Sequence, residues 1–163
     1  MKMDKMLFQD ENKIYTITIS KNVNEEMLCH CDKANPYETG GILIGNYSDD
    51  QTTVNIIQIT SAPKKFKHFK YNFYRSSKGL KEVLDSLWDK GQYYLGEWHY
   101  HPNASAKPSS VDKKQMLKLS QDKKLNCPEP ILVVIGGNNA GWDKFVGIYV
   151  NNKEVIMYEQ NSL

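Results

Sequence analysis

Two histidines one residue apart, followed after a seven-residue gap by Ser-x-x-Asp, constrain this chain more than any other feature: Gly96-Glu97-Trp98-His99-Tyr100-His101-Pro102, then Ser109 and Asp112. The aromatic-rich run from Tyr93 to Tyr100 stops at Pro102 and reads as a strand meeting a loop. Residues two apart on a strand share a face, with Cα atoms about 6.6 Å apart. His99 and His101 can therefore converge on one ion while Trp98 and Tyr100 turn into a core. The stretch from Ser110 to Leu117 reads as a helix, which puts Asp112 in a first turn, where the helix dipole favours an ionised carboxylate. The fold must bring a strand end beside a helix start. Two imidazoles and a carboxylate supply three donors for a divalent metal and leave one position open, as in catalytic rather than structural zinc sites.

Each part also has a plainer reading. Ser109-x-x-Asp112 is a capping-box pattern; a capped helix start is equally a rigid mount for a ligand, so the two readings are compatible. A general base has two candidates. Glu38 opens Glu38-Thr39-Gly40-Gly41-Ile42-Leu43-Ile44-Gly45, a turn-like glycine pair entering an apolar strand. Glu97 lies two residues before His99, shares its face and is the nearer by local spacing; it reads equally as a strand-end carboxylate that orients a histidine or pairs with a cation. Cys29-His30-Cys31 suggests a second metal site, but it falls in a helical stretch, where residues i and i+2 do not face each other, so ordinary helix packing is expected. Cys127, before Pro128, reads as a small buried residue.

Periodicity along the chain alternates strands and helices. Lys13 to Ser20 reads as a strand, with Tyr15, Ile17 and Ile19 on one face. A helix is expected near 23 to 34, strands near 41 to 47 and 53 to 60 joined by a turn at Ser48-Asp49-Asp50-Gln51, and a helix from Ser76 to Lys90. That helix carries Leu80, Val83, Leu84, Leu87 and Trp88 at helical spacing, expected as core. The His-x-His strand follows, then a helix from about 110 to 122 and strands near 131 to 136, 143 to 150 and 154 to 158. The pattern predicts an α/β (α+β) fold, a mixed sheet with helices packed on it, in a single domain spanning 1–163.

Composition narrows the class. Hydrophobic content of 40% and charged content of 25% are those of an ordinary globular chain, and a net charge of +2 does not point to nucleic acid or a membrane as main partner. The charge-broken N-terminus lacks a signal-peptide core, no apolar run approaches the ~20 residues needed to span a bilayer, and three cysteines without framework spacing argue against disulfides. A cytoplasmic protein is expected. Lys64-Lys65-Phe66-Lys67-His68-Phe69-Lys70-Tyr71-Asn72-Phe73-Tyr74-Arg75 interleaves basic and aromatic residues. A strand with a solvated basic face is the first expectation there, ahead of a protein-docking surface or a single-stranded nucleic-acid site.

Taken together, Glu38, His99-x-His101, Ser109 and Asp112 resemble the JAMM motif of the MPN (JAB) metallopeptidases. The flanking Glu38-Thr-Gly-Gly-Ile-Leu-Ile-Gly and Trp98-His99-Tyr100-His101-Pro102, and the run from Pro130 to Gly137, are similar to that family as well. The resemblance implies a curved, largely antiparallel sheet between helices. It implies one zinc ion (Zn2+) per chain held by His99, His101 and Asp112, with Glu38 as general base and Ser109 as donor to the oxyanion, and hydrolysis of a peptide or isopeptide amide without a covalent intermediate. The segments Tyr94 to Pro102 and Cys127 to Leu132 most resemble the deconjugating peptidases of CBASS anti-phage operons. Those act beside a ubiquitin-like E1–E2 conjugation protein and release a cyclic-nucleotide synthase from its C-terminal conjugates. The implied substrate is a folded protein whose extended C-terminal tail enters a groove by strand addition. Three alternatives stand beside this: a JAB peptidase processing a ubiquitin-like or sulfur-carrier protein, a noncatalytic MPN scaffold, and a nucleic-acid-binding domain.

Overall fold

The structure, a computed structural model, describes residues 4–61 and 78–161. Among the described residues there are eight strands, most of them rich in β-branched and aromatic residues: β1 (Lys5–Gln9), β2 (Thr16–Ser20), β3 (Gly40–Tyr47), β4 (Thr53–Ile59), β5 (Tyr93–Pro102), β6 (Ile131–Asn138), β7 (Gly141–Val150) and β8 (Lys153–Gln160). The helices described between them are α1 (Lys21–Ala34), α2 (Lys78–Asp89) and α3 (Ser110–Gln121). The strands pair in the order β1-β2-β4-β3-β5-β6-β7-β8, and β1 pairs with β8, so the sheet closes on itself. The β2–β4 and β5–β6 pairings are parallel and the others antiparallel, which bears out the mixed, largely antiparallel sheet with flanking helices.

Two elements differ from the sequence expectation. β1 was not anticipated: of Lys5-Met6-Leu7-Phe8-Gln9 only Phe8 is fully buried, so the run carries no alternation to read. β2 begins at Thr16 rather than Lys13, and Ile14 is 62% exposed. The turn at 48–51 is present, and the Asp50 carboxylate accepts from Ser48 Oγ, Thr52 Oγ1 and the Thr52 amide.

Alternating side chains feed two cores on opposite faces of the sheet. One gathers Ile17, Ile19, Leu43, Trp98, Tyr100, Val133 and Ile135 with Val23, Met27 and Cys31 of α1. The other gathers Ile42, Ile44, Tyr94, Leu132, Val134 and Tyr149 with Leu87 of α2 and Met116 and Leu119 of α3. Trp88 departs from the expected core stripe: it is 61% exposed and meets Tyr93 edge-on with ring centroids 5.3 Å apart. Cys31 and Cys127 are buried, and burial pushes each thiol up to about 12. Cys29 is exposed, His30 lies against the Trp98 ring and Cys31 is buried, so the three side chains of Cys29-His30-Cys31 meet different surroundings on α1. The basic-aromatic segment Lys64–Arg75, with His68, lies outside the described residues. No helix among the described residues is long and apolar enough to cross a membrane.

Candidate metal centre

β5 carries the site because its register is locked. Gly96 sits at φ +147°, and a Cβ there would lie 1.8 Å from the Ile131 carbonyl oxygen, so only glycine lets β6 pass this close, beside the bulge in the β3–β5 pairing between Leu43 and Ile44. Beyond the bulge the strand alternates cleanly. Trp98 and Tyr100 are wholly buried, with the Trp98 indole N–H donating to the Thr60 carbonyl at 2.9 Å and the Tyr100 hydroxyl to the Gly137 carbonyl at 2.7 Å. Glu97, His99 and His101 necessarily point to the other face, towards α3.

α3 begins at a complete capping box. Ser109 Oγ accepts from the Asp112 amide at 3.1 Å, and the Asp112 carboxylate accepts from the Ser109 amide at 2.8 Å. The loop before it is pinned by the Ala106 amide donating to Asp143 at 2.8 Å. The cap leaves Asp112 facing both histidines: its Oδ1 lies 3.1 Å from His99 Nδ1, and its Oδ2 lies 3.4 Å from His101 Nε2. Glu38 and Thr39 reach the same place from the chain entering β3. Gly40 and Gly41 are not a turn, as expected, but paired strand residues; a Cβ on Gly41 would lie 1.7 Å from the Thr60 carbonyl oxygen.

Glu38, Thr39, His99, His101, Ser109, Val111, Asp112 and Gln115 line one cavity of about 410 Å³. All five residues singled out from the sequence therefore meet. Glu97 is wholly buried behind His99, with Oε1 3.1 Å from His99 Nε2, the position of a histidine-orienting carboxylate. Gln115 was missed. It stands one turn beyond Asp112 on the same helix face and donates to Glu97 at 3.4 Å, an i, i+3 relation visible in sequence once the helix start is fixed.

The electrostatics follow from this packing. Burial alone would raise Asp112, but hydrogen bonds from His101, His99 and the Ser109 amide outweigh it and hold the carboxyl far below its usual range. Burial works against a charged His99, yet its bonds to Asp112 and Glu97 prevail and lift it to about 9. His101 is raised chiefly by its bond to Asp112, with a smaller push from Glu38.

The donor chemistry suits a divalent ion. Nitrogen and oxygen donors about a tetrahedral zinc stand roughly 3.3 Å from one another, and the imidazole–carboxylate separations of 3.1 and 3.4 Å bracket that spacing. As they stand, the side chains are closed onto one another, and no group of three His, Cys, Asp or Glu among the described residues forms a ready-made metal cage. Loading an ion therefore means exchanging these mutual hydrogen bonds for it.

The mixed sheet, the histidine pair and the capped aspartate agree with the JAB (MPN) resemblance read from the sequence. The family model described as prokaryotic homologs of the JAB domain matches residues 20–149, and the chain belongs to that family. A "CD-NTase/cGAS isopeptidase" of Enterobacter hormaechei subsp. hoffmannii (strain UCI 50) is 39% identical over 141 residues, 86% of this chain and 78% of that protein. A "Probable metalloprotease y4qB" of Sinorhizobium fredii (strain NBRC 101917 / NGR234) is 24% identical over 88% of this chain and 90% of its own length. Among solved structures, protein DSY2949 from Desulfitobacterium hafniense superposes with a TM-score of 0.61 at 23% identity, covering 90% of this chain and 91% of the other, a likeness of fold.

Proposed function

We propose that the chain is a zinc-dependent isopeptidase that hydrolyses the amide joining the C-terminus of a cyclic-nucleotide synthase to its conjugate, as part of anti-phage defence. The observation that carries this is the convergence of Glu38, His99, His101, Ser109 and Asp112 on one cavity. The likeness to the Enterobacter isopeptidase supports the substrate class.

His99, His101 and Asp112 would hold the ion. Bound there, a zinc ion supplies Lewis-acid polarisation of the scissile carbonyl and lowers the pKa of a water to about 7. Glu38, an exposed residue of the cavity wall, would take a proton from the attacking water and return it to the leaving amine. Ser109 accepts the helix-cap bond with its oxygen, which leaves its hydroxyl hydrogen to donate to the oxyanion developing on the carbonyl. Glu97 stays behind the histidine and takes no proton from substrate in this scheme.

An extended tail would enter the cavity between Glu38–Thr39 and the exposed Val111, beside the Gly40–Ile42 end of β3, which is in register with β5. An E1–E2-like conjugation protein would build the bond that this chain cuts.

The test is to incubate the zinc-loaded protein and its Glu38→Gln variant with a synthase carrying a C-terminal protein fusion, and to follow intact masses. Release of the synthase with a free carboxylate by the wild type alone is the expected outcome. A zinc-holding wild type that leaves the fusion intact but trims a ubiquitin-like or sulfur-carrier precursor would move the substrate assignment. A chain that neither holds zinc nor cleaves would be a scaffold.

A further inference from the structure

Glu97 is out of place by every rule of strand composition. Its pairing partners are Ile42 on β3 and Leu132 on β6, both buried, so it occupies a position where the sheet otherwise places an aliphatic side chain. Its residue exposure is 0%, and it is absent from the cavity wall. Oε1 meets His99 Nε2 and Gln115, while Oε2 is buried with no hydrogen-bond partner among the described residues. A buried carboxylate left half-satisfied costs stability, and an aliphatic residue would fill the row without that cost. What the carboxylate gains is a fixed imidazole.

Resting on the metallopeptidase reading above, we infer that Glu97 is a positioning residue that dictates which nitrogen of His99 faces the metal. It engages Nε2 from behind, so Nδ1 is the atom presented beside Asp112; His101 presents Nε2 instead. The two histidines of the motif thus offer different ring nitrogens. Gln115, on the same helix as Asp112, ties Glu97 to the element that carries the third donor. One helix face therefore bears on both sides of the His99 ring, directly through Asp112 and indirectly through Glu97.

The experiment measures two quantities on the full chain. Long-range proton–nitrogen spectra of the zinc-loaded wild type report the ligated nitrogen of His99, expected to be Nδ1 with the proton on Nε2. Chelator competition reports zinc affinity for the wild type, Glu97→Leu and Glu97→Gln. Glu97→Leu, which matches the aliphatic row, is expected to weaken zinc binding by about 10–100-fold without lowering the melting temperature of the metal-free protein. Glu97→Gln keeps an acceptor for Nε2 and is expected to recover part of that affinity. Zinc ligated through Nε2 of His99, or unchanged affinity in Glu97→Leu, overturns the inference while leaving the metallopeptidase standing. A wild type that binds no zinc overturns both. The wild-type spectrum decides the matter even if a variant fails to fold.

Discussion

β5 meets a cavity at each end, and the two cavities are built on opposite principles. At its start, Tyr93 and Tyr94 join Tyr47, Leu84, Trp88 and Leu125 around about 540 Å³, and the charged residues there, Asp49, Asp85 and Lys124, are exposed. At its end lies the smaller cavity of about 410 Å³, where Asp112 is buried between two histidines and Glu97 is buried behind one of them. The larger hollow is an aromatic surface whose charges stay in water. The smaller one concentrates desolvated charge that the fold could have replaced with aliphatic packing. Buried, mutually perturbed ionisable groups mark the chemistry here better than cavity size does.

The largest effect should come from the histidine end. Glu38→Gln is expected to lower kcat/KM on a cleavable conjugate by about 10²–10⁴-fold with zinc content unchanged, read by steady-state kinetics beside metal analysis. Normal turnover by Glu38→Gln, with an inactive Glu97→Gln, would reverse the assignment of base.

Next comes the mount beneath the site. Met116 is wholly buried where α3 meets the sheet, and Met116→Ala should cost about 2–5 kcal/mol in denaturant unfolding. A loss well below that range would mean that α3 packs loosely and that Asp112 is positioned by its cap alone.

Ser109 separates structure from catalysis. Ser109→Ala removes the cap and should cost about 1 kcal/mol of stability together with about 10²-fold in kcat. Ser109→Gly, which also lacks the hydroxyl but is tolerated at an N-cap, should keep stability to within a few tenths of a kcal/mol and leave the rate low. A rate that recovers along with stability would assign Ser109 to capping only.

The smallest effect belongs to the aromatic end. Trp88→Ala removes the edge-on contact with Tyr93 and should cost about 0.5–1.5 kcal/mol with kcat/KM unchanged. A fall in kcat/KM would show that substrate reaches across both ends of β5.

Much of this was legible in the sequence because it was written in short-range patterns. His99 and His101 two apart, with Trp98 and Tyr100 between and beyond them, fixed the faces of β5; Ser109-x-x-Asp112 fixed the start of α3. Both readings of that tetrad hold in part: the capping box is present, and the same aspartate faces the histidines. What escaped depends on contacts distant in sequence. β1 is a strand because β2 and β8 pair with it, not because its residues alternate. Gly40 and Gly41 looked like a turn, since nothing local reveals the Trp98 and Thr60 backbone pressed against them. Glu97 is the nearer candidate on local spacing, yet it is buried behind the ring, whereas Glu38, the one the resemblance favours, stands on the cavity wall.

The proposed activity requires that the histidine end of β5 hold a metal through His99, His101 and Asp112, with Glu38 outside the donor set. The most direct measurement is zinc bound per chain, after loading and desalting, for the wild type, Glu38→Gln and His101→Ala. One equivalent in the first two and none in the third is the predicted result. Zinc retained by His101→Ala, or lost from Glu38→Gln, would contradict it.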